Sequence, residues 1–200
     1  MTRDLMALLM LLSVFMFAAC ARSEPTNYYL LWSSAEPVRA DSLPAKTLRI
    51  ARVAVPEYLE RGGIVSRVDG QTRLVVAQLD IWAEPLSRGV SRVMREELAP
   101  RLLGCGLNVR EAEEDGGDAV LFLDVRRLDG VLGGRVFVEL HWTLKNRRGL
   151  VLGQGSHADE ESVPGAEYAG FVRAQSVLVS RFAARLAELL PPLMSKENHQ

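Results

Sequence analysis

Cys20 is the residue of this 200-residue chain whose setting points most directly to chemistry. Arg3 and the free amine open a short charged start, Leu5 to Ala19 form an apolar run broken only by Ser13, and Phe17-Ala18-Ala19-Cys20 closes it. The run falls short of the about 20 residues that a membrane-spanning helix needs, and it ends in small residues as a secretory cleavage site does. A plain signal peptide has no need of a thiol at that point. The pattern fits lipoprotein processing: the Cys20 sulfur takes a lipid, the chain is cut before it, and the freed amine is acylated. One acyl chain binds a bilayer only marginally, at about 0.8 kcal/mol per buried methylene, and several make anchoring effectively permanent. Residues 1–19 therefore read as a lipoprotein signal peptide and 20–26 as lipid anchor and polar tether.

Elsewhere the residue types that carry catalysis are scarce and poorly grouped. The three histidines, His141, His157 and His199, fall in a predicted strand, a loop and the C-terminal tail. His157 with Asp159, Glu160 and Glu161 has metal-ligand residue types, yet the run suggests no fixed ligand number or geometry. It reads as a solvated acidic loop. Gly153-Gln154-Gly155-Ser156-His157 is not the nucleophile elbow Gly-x-Ser-x-Gly, and no strand-to-helix turn follows it; its glycines read as a bent strand or bulge. With Cys20 lipidated, Cys105 has no intramolecular partner, and between Leu103 and Leu107 it reads as a small buried residue. Gly116-Gly117 and Gly133-Gly134 precede strands, so they are turns and not phosphate cradles. Arg126, Arg127, Arg147 and Arg148 read as exposed charges near strand ends, with contact to anionic headgroups as the alternative. Trp82 and Trp142 read as core. No catalytic group, metal site or cofactor follows from these residues.

Charge narrows the partners. Lys and Arg number 24 against 25 Asp and Glu, for a formal charge of −1, and the signs are interleaved along the chain. Nucleic-acid binding needs clustered cations to displace counterions, and no such face is present in the sequence. The length suits one domain with its own core.

The elements that position these residues alternate strands and helices. Tyr28 to Trp32 predicts a first strand, Ser33 to Pro44 a loop, and Leu48 to Val55 a strand stopped by Pro56. Ile64–Val68 and Leu74–Ala77 flank Asp69-Gly70-Gln71 as a hairpin. Pro85 to Leu103 predicts a helix that Pro100 kinks or ends near Ala99. Leu107–Val109 and Val120–Val125 are short strands. Val136, Val138, Leu140, Trp142 and Leu144 take every second position, the clearest strand periodicity in the chain. Phe171, Leu178, Phe182, Leu186 and Leu189 make one stripe of a helix from Glu167 to Leu190 that Pro191-Pro192 stops. The order favours an α+β fold, a mostly antiparallel sheet with two helices packed on one face. The folded domain spans 27–192, and 193–200 forms a disordered polar tail.

Several segments together resemble the ABC-type transport auxiliary lipoproteins, the PqiC-like family of Gram-negative bacteria. They are Tyr28-Tyr29-Leu30-Leu31, Val53-Ala54-Val55-Pro56-Glu57-Tyr58-Leu59 with Arg61 and Ile64-Val65, Trp82-Ala83-Glu84-Pro85-Leu86, Trp142-Thr143-Leu144 before Arg148-Gly149, and the helix bearing Ala174. The resemblance implies a non-enzymatic outer-membrane lipoprotein without a cofactor. It implies partnership with an MCE-domain protein and an inner-membrane ABC or PqiA-like component in moving lipids across the periplasm. It also implies self-assembly into a ring. Ala21 after the cysteine favours the outer membrane.

Two other classes stay open: a lipid-anchored envelope hydrolase, and a structural lipoprotein that binds the cell wall. Pro56 ends a strand and leaves Tyr58 and Leu59 on an irregular surface segment near the Trp82 and Glu84 approach to the first helix. Large apolar side chains there are either local packing or a partner interface, since aromatic residues are enriched at interface cores.

Overall fold

The computed structural model describes residues 24–36, 46–68, 72–110 and 117–195. Cys20, Asp69-Gly70-Gln71, Gly116 and His199 lie outside the described residues. The elements run β1 (Asn27–Tyr29), β2 (Lys46–Ile50), β3 (Gly63–Val68), β4 (Arg73–Trp82), α1 (Leu86–Leu103), β5 (Leu107–Arg110), β6 (Ala119–Gly130), β7 (Arg135–Asn146), β8 (Val151–Ser162) and α2 (Tyr168–Ser195).

The period-two run forms an interior strand of the larger sheet. Val136, Val138, Leu140, Trp142 and Leu144 are all buried on β7, while Glu139 and His141 between them are exposed. β7 pairs antiparallel with β6 from Ala119↔Asn146 to Gly130↔Val136 and with β8 from Arg135↔Ser162 to Lys145↔Val151. β2 lies parallel to both β5 and β6, giving the order β5-β2-β6-β7-β8. A second sheet, β1-β4-β3, joins the β3–β4 hairpin to a parallel β1. The fold is α+β, in two sheets that are mostly but not wholly antiparallel, because the connections that return to β2 cross over.

The helices cover the larger sheet. Val90 and Met94 of α1, Val179 and Phe182 of α2, and Leu123, Val125, Val138 and Leu140 of the sheet meet around one small internal space. Phe171, Leu178, Phe182 and Leu186 are buried as the helical stripe requires, and each such side chain contributes about 1.5–3 kcal/mol by leaving water. Leu189 departs from the expectation, at 41% exposure, because Leu190 takes the next inward position of the stripe.

Several boundaries differ from the sequence reading, each for a local reason. β1 ends at Tyr29, because the next residues leave β4 to cross the helices. β2 stops at Ile50, and a single parallel bridge from Ala54 to Asp124 replaces the rest of the expected strand. The acidic run around His157 is not a loop but part of β8. Its glycines permit close packing: a Cβ on Gly155 would come within 2.9 Å of Trp142 Nε1, and one on Gly153 within 2.6 Å of a Leu193 methyl. A register shift at Leu144/Lys145 makes the expected bulge.

Proline does not end either helix. α1 runs through Pro100 to Leu103 with Leu98 and Leu102 buried on either side, so core packing outweighs the one backbone donor lost. α2 continues through Pro191 and Pro192 to Ser195, beyond the expected domain boundary, with Leu190 and Met194 buried and Lys46 Nζ donating 2.7 Å to the Met194 carbonyl. Residues 196–200 lie outside the described residues.

Cys105 is exposed, not buried as the sequence suggested. It falls in the turn that closes α1, where Cys105 N donates to the Leu102 carbonyl and Gly106 takes a φ of +72°. That turn carries the thiol outward, while Leu102 and Leu107 face the core.

Candidate functional site

Residues Leu30 to Ala35 follow β1 across the seam between the two helices. The alternation of an extended chain places Leu31 in the core and leaves Leu30 and Trp32 exposed at 50% and 68%. Three sets of polar contacts pin the segment. Arg92 donates 2.7 Å to the Leu31 carbonyl, Trp32 N donates 3.1 Å to Ser176 Oγ, and the Glu97 carboxylate gathers the rest. Glu97 Oε1 accepts from Ser33 Oγ at 2.8 Å, Ser34 N at 2.9 Å and Ser180 Oγ at 2.9 Å, and its Oε2 accepts from Arg101 at 2.5 Å. Burial alone would push this carboxyl up, but the hydrogen bonds outweigh it and hold the pKa below the usual value.

The pinned segment forms one wall of an open groove of about 870 Å³. The other wall is the side of α2 that faces this segment, where Ala169, Val172, Ser176, Val177, Ser180 and Ala184 recur at helical spacing. Tyr29, Leu30 and Trp32 line the near side, and Arg101, Arg173 and Arg181 stand in the lining without an acidic residue among them. The groove is thus apolar with a cationic rim. Its serine hydroxyls already have structural uses, as Ser176 Oγ donates to the Val172 carbonyl and Ser180 Oγ to Glu97. The arrangement suits binding an apolar or amphiphilic surface and supplies no activated nucleophile.

A second polar cluster ties the sheets together. Asp129, fully buried on β6, accepts from Arg67 Nε at 2.6 Å and Arg67 Nη2 at 2.8 Å on β3, from Tyr58 Oη at 2.7 Å, and from Arg127 Nε at 2.9 Å. Arg127 also stacks over Phe137, 4.3 Å from its centroid. Burial would raise the Asp129 pKa, but the donors from Arg67, Tyr58 and Arg127 lower it on balance. Burial first, and then the bond to Asp129, push the Tyr58 phenol up to about 12. Neither group exchanges a proton near neutral pH, so the cluster is a staple and not an acid–base pair.

The four residues proposed as a partner interface come together differently than expected. Trp82 N donates 2.8 Å to the Gly62 carbonyl, and Ser87 N donates 2.9 Å to Glu60 Oε1, so the two segments do adjoin. Leu59 and Trp82 are buried, and Tyr58 is half-buried with its hydroxyl on Asp129. These side chains pack within the chain, because the turn after Pro56 folds back under α1 and does not project from it. Glu84 pairs with Arg92 at 2.8 Å, in the same network that holds Leu31. Glu60 has an unforeseen use: it caps α1, whose first turn lacks an acidic residue and whose Pro85 offers no side-chain cap.

His157 packs its ring against Phe182, centroids 5.0 Å apart, and burial lowers its pKa. The neighbouring carboxylates have other partners, Asp159 and Glu161 with Arg181 and Glu160 with Arg135. Of the strand-end arginines, Arg126 pairs with Asp124, Arg127 with Asp129 and Glu139, and Arg147 with Asp118.

The profile of the ABC-type transport auxiliary lipoprotein component family matches residues 28–187, from β1 into α2. The chain belongs to this family. Solved structures share the fold of this auxiliary lipoprotein. One, of an uncharacterized protein, is 24% identical with a TM-score of 0.69 over 84% of this chain and 99% of that one. Another, a Xanthomonas campestris protein from a family named only as a domain of unknown function, is 16% identical with a TM-score of 0.68 over 88% of this chain and 100% of that one. No curated protein matches the chain. Among the described residues of the auxiliary lipoprotein, no helix is long and apolar enough to cross a membrane.

The groove is the part of the site that sequence reasoning missed. The aromatic run predicts Leu30 and Trp32 within a strand, and the stripe of Phe171, Leu178, Phe182 and Leu186 on α2 does not include Val172 and Val177.

Proposed function

We propose that this auxiliary lipoprotein is a non-enzymatic subunit of an envelope lipid transporter, anchored by lipid on Cys20 to the periplasmic face of the outer membrane. In this reading it works with an MCE-domain protein and an inner-membrane ABC or PqiA-like component, as a homo-oligomer. The observation that carries the reading is the family match, which spans 28–187 and thus nearly the whole fold. The chemistry supports it. Among the described residues the two fully buried carboxylates, Glu97 and Asp129, are consumed in internal networks, and the groove offers apolar surface and cations in place of a general base. Ala21 beside Cys20 supports the outer membrane. Leu74, Val75 and Val76, exposed in succession on β4, supply apolar surface of the kind that protein partners cover.

Affinity capture from detergent-solubilised envelope tests the proposal. An MCE-domain protein recovered with the chain in comparable amount is the expected result. Recovery of cell-wall fragments alone, or of substrate turnover by the purified chain, would overturn it.

A further inference from the structure

We propose that the groove face is the surface on which the domain lies against its own bilayer, with Leu30, Trp32 and Val177 entering the headgroup region and Arg173 meeting anionic headgroups. This rests on the reading of Cys20 as the lipid anchor. The tether sets the first constraint. Asn27 follows Cys20 by seven residue steps, and a fully extended chain spans at most about 3.6 Å per step, so β1 stands within roughly 25 Å of the membrane surface. The groove wall begins two residues into that strand, at Tyr29. The tether therefore lets this face reach the lipid.

The chemistry of the face sets the second constraint. Leu30 and Trp32 are largely exposed, and Val177 is 39% exposed beside them across the groove. Trp at such a place suits a membrane interface, where an amphipathic ring sits at headgroup level. The three lining arginines, with no acidic residue in the lining, complement the negative potential of an anionic leaflet. Arg181 is already engaged by Asp159 and Glu161 and Arg101 by Glu97, which makes Arg173 the cation to test. The Glu97 and Ser176 contacts hold Trp32 in place before any lipid is met, so docking orders no further backbone.

The chain carries its own reporter. Of its three tryptophans, Trp82 and Trp142 are buried at 9% and 8% exposure, whereas Trp32 is exposed at 68%. The full lipidated protein is reconstituted into phosphatidylglycerol-containing vesicles whose acyl chains are brominated near the glycerol, and flotation and tryptophan emission are read together. The expected result is that the protein floats, that emission is quenched relative to unbrominated vesicles, and that Trp32→Phe, folded by circular dichroism, removes most of the quenching. Arg173→Glu should weaken the quenching on anionic vesicles while leaving flotation intact. Flotation with no bromine quenching of Trp32 overturns the docking proposal and leaves the anchor standing. Trp32 shielded from aqueous acrylamide yet untouched by brominated lipid overturns it in favour of a protein occupant. Failure to float overturns the anchor reading, and the docking proposal with it.

Discussion

Replacing Glu97 by alanine removes the acceptor that fastens the groove segment to both helices. Ser33 Oγ, Ser34 N and Ser180 Oγ each lose a charge-assisted bond of 2.8 to 2.9 Å. A partly buried donor left without its acceptor costs about 1 kcal/mol or more, so three of them give about 3 kcal/mol. That is the lower end of the roughly 3–5 kcal/mol expected when one partner of a buried charged network is deleted. The lower end applies because Arg101, whose side chain is 36% exposed, regains water. In a domain of this size about 1 kcal/mol moves the melting temperature by about 2–4 °C, so Glu97→Ala should melt about 6–12 °C lower. Arg101→Ala should cost less than Glu97→Ala, because the buried carboxylate keeps its donors from Ser33, Ser34 and Ser180. Urea unfolding measures both, and amide hydrogen exchange at Ser34 should accelerate in Glu97→Ala. A Glu97→Ala loss below about 1 kcal/mol, with Ser34 still protected, would refute the clamp.

Three further outcomes follow from the same geometry. Cys105, exposed in the turn after α1, should label with a maleimide in the native state at close to the rate of the unfolded chain; strong protection would contradict the turn. Gly155→Ala sets a Cβ 2.9 Å from Trp142 Nε1 and should destabilise by about 1–3 kcal/mol through overpacking, read as a lower urea midpoint; an unchanged midpoint would contradict the β7–β8 register. Glu97, Asp129 and His157 all titrate below their ordinary values in the fold, so the unfolded chain takes up each proton first. The melting temperature should therefore fall as pH drops below about 6.5 for the histidine and again below about 4 for the carboxylates. Tyr58, pushed up to about 12, acts oppositely: its contribution is whole below about 10 and is lost as pH rises from there.

The parts of the fold legible in the sequence were those with a strict period. Val136 to Leu144 and the stripe from Phe171 to Leu186 are buried as their spacing demands. The parts that were not legible depend on packing at a distance. Pro100, Pro191 and Pro192 read as stops because each lacks a donor, yet Leu102 and Met194 are held in the core beyond them. Tyr58 and Leu59 read as surface because a proline ends a strand before them, and only the tertiary position of Asp129 and α1 shows them packed inward. The groove was hidden for a related reason. Leu30 and Val177 lie far apart in sequence, and tertiary contacts, among them those of Glu97 and Ser176, bring their segments together.

Lipid at Cys20 underlies both the proposed function and the docking face, and intact mass spectrometry of the protein extracted from membranes tests for it. The predicted mass is that of the chain from Cys20 onward plus a thioether-linked lipid and an acylated amine, with both additions absent from Cys20→Ala. A mature protein that begins elsewhere, or one that begins at Cys20 without acyl groups, would contradict it.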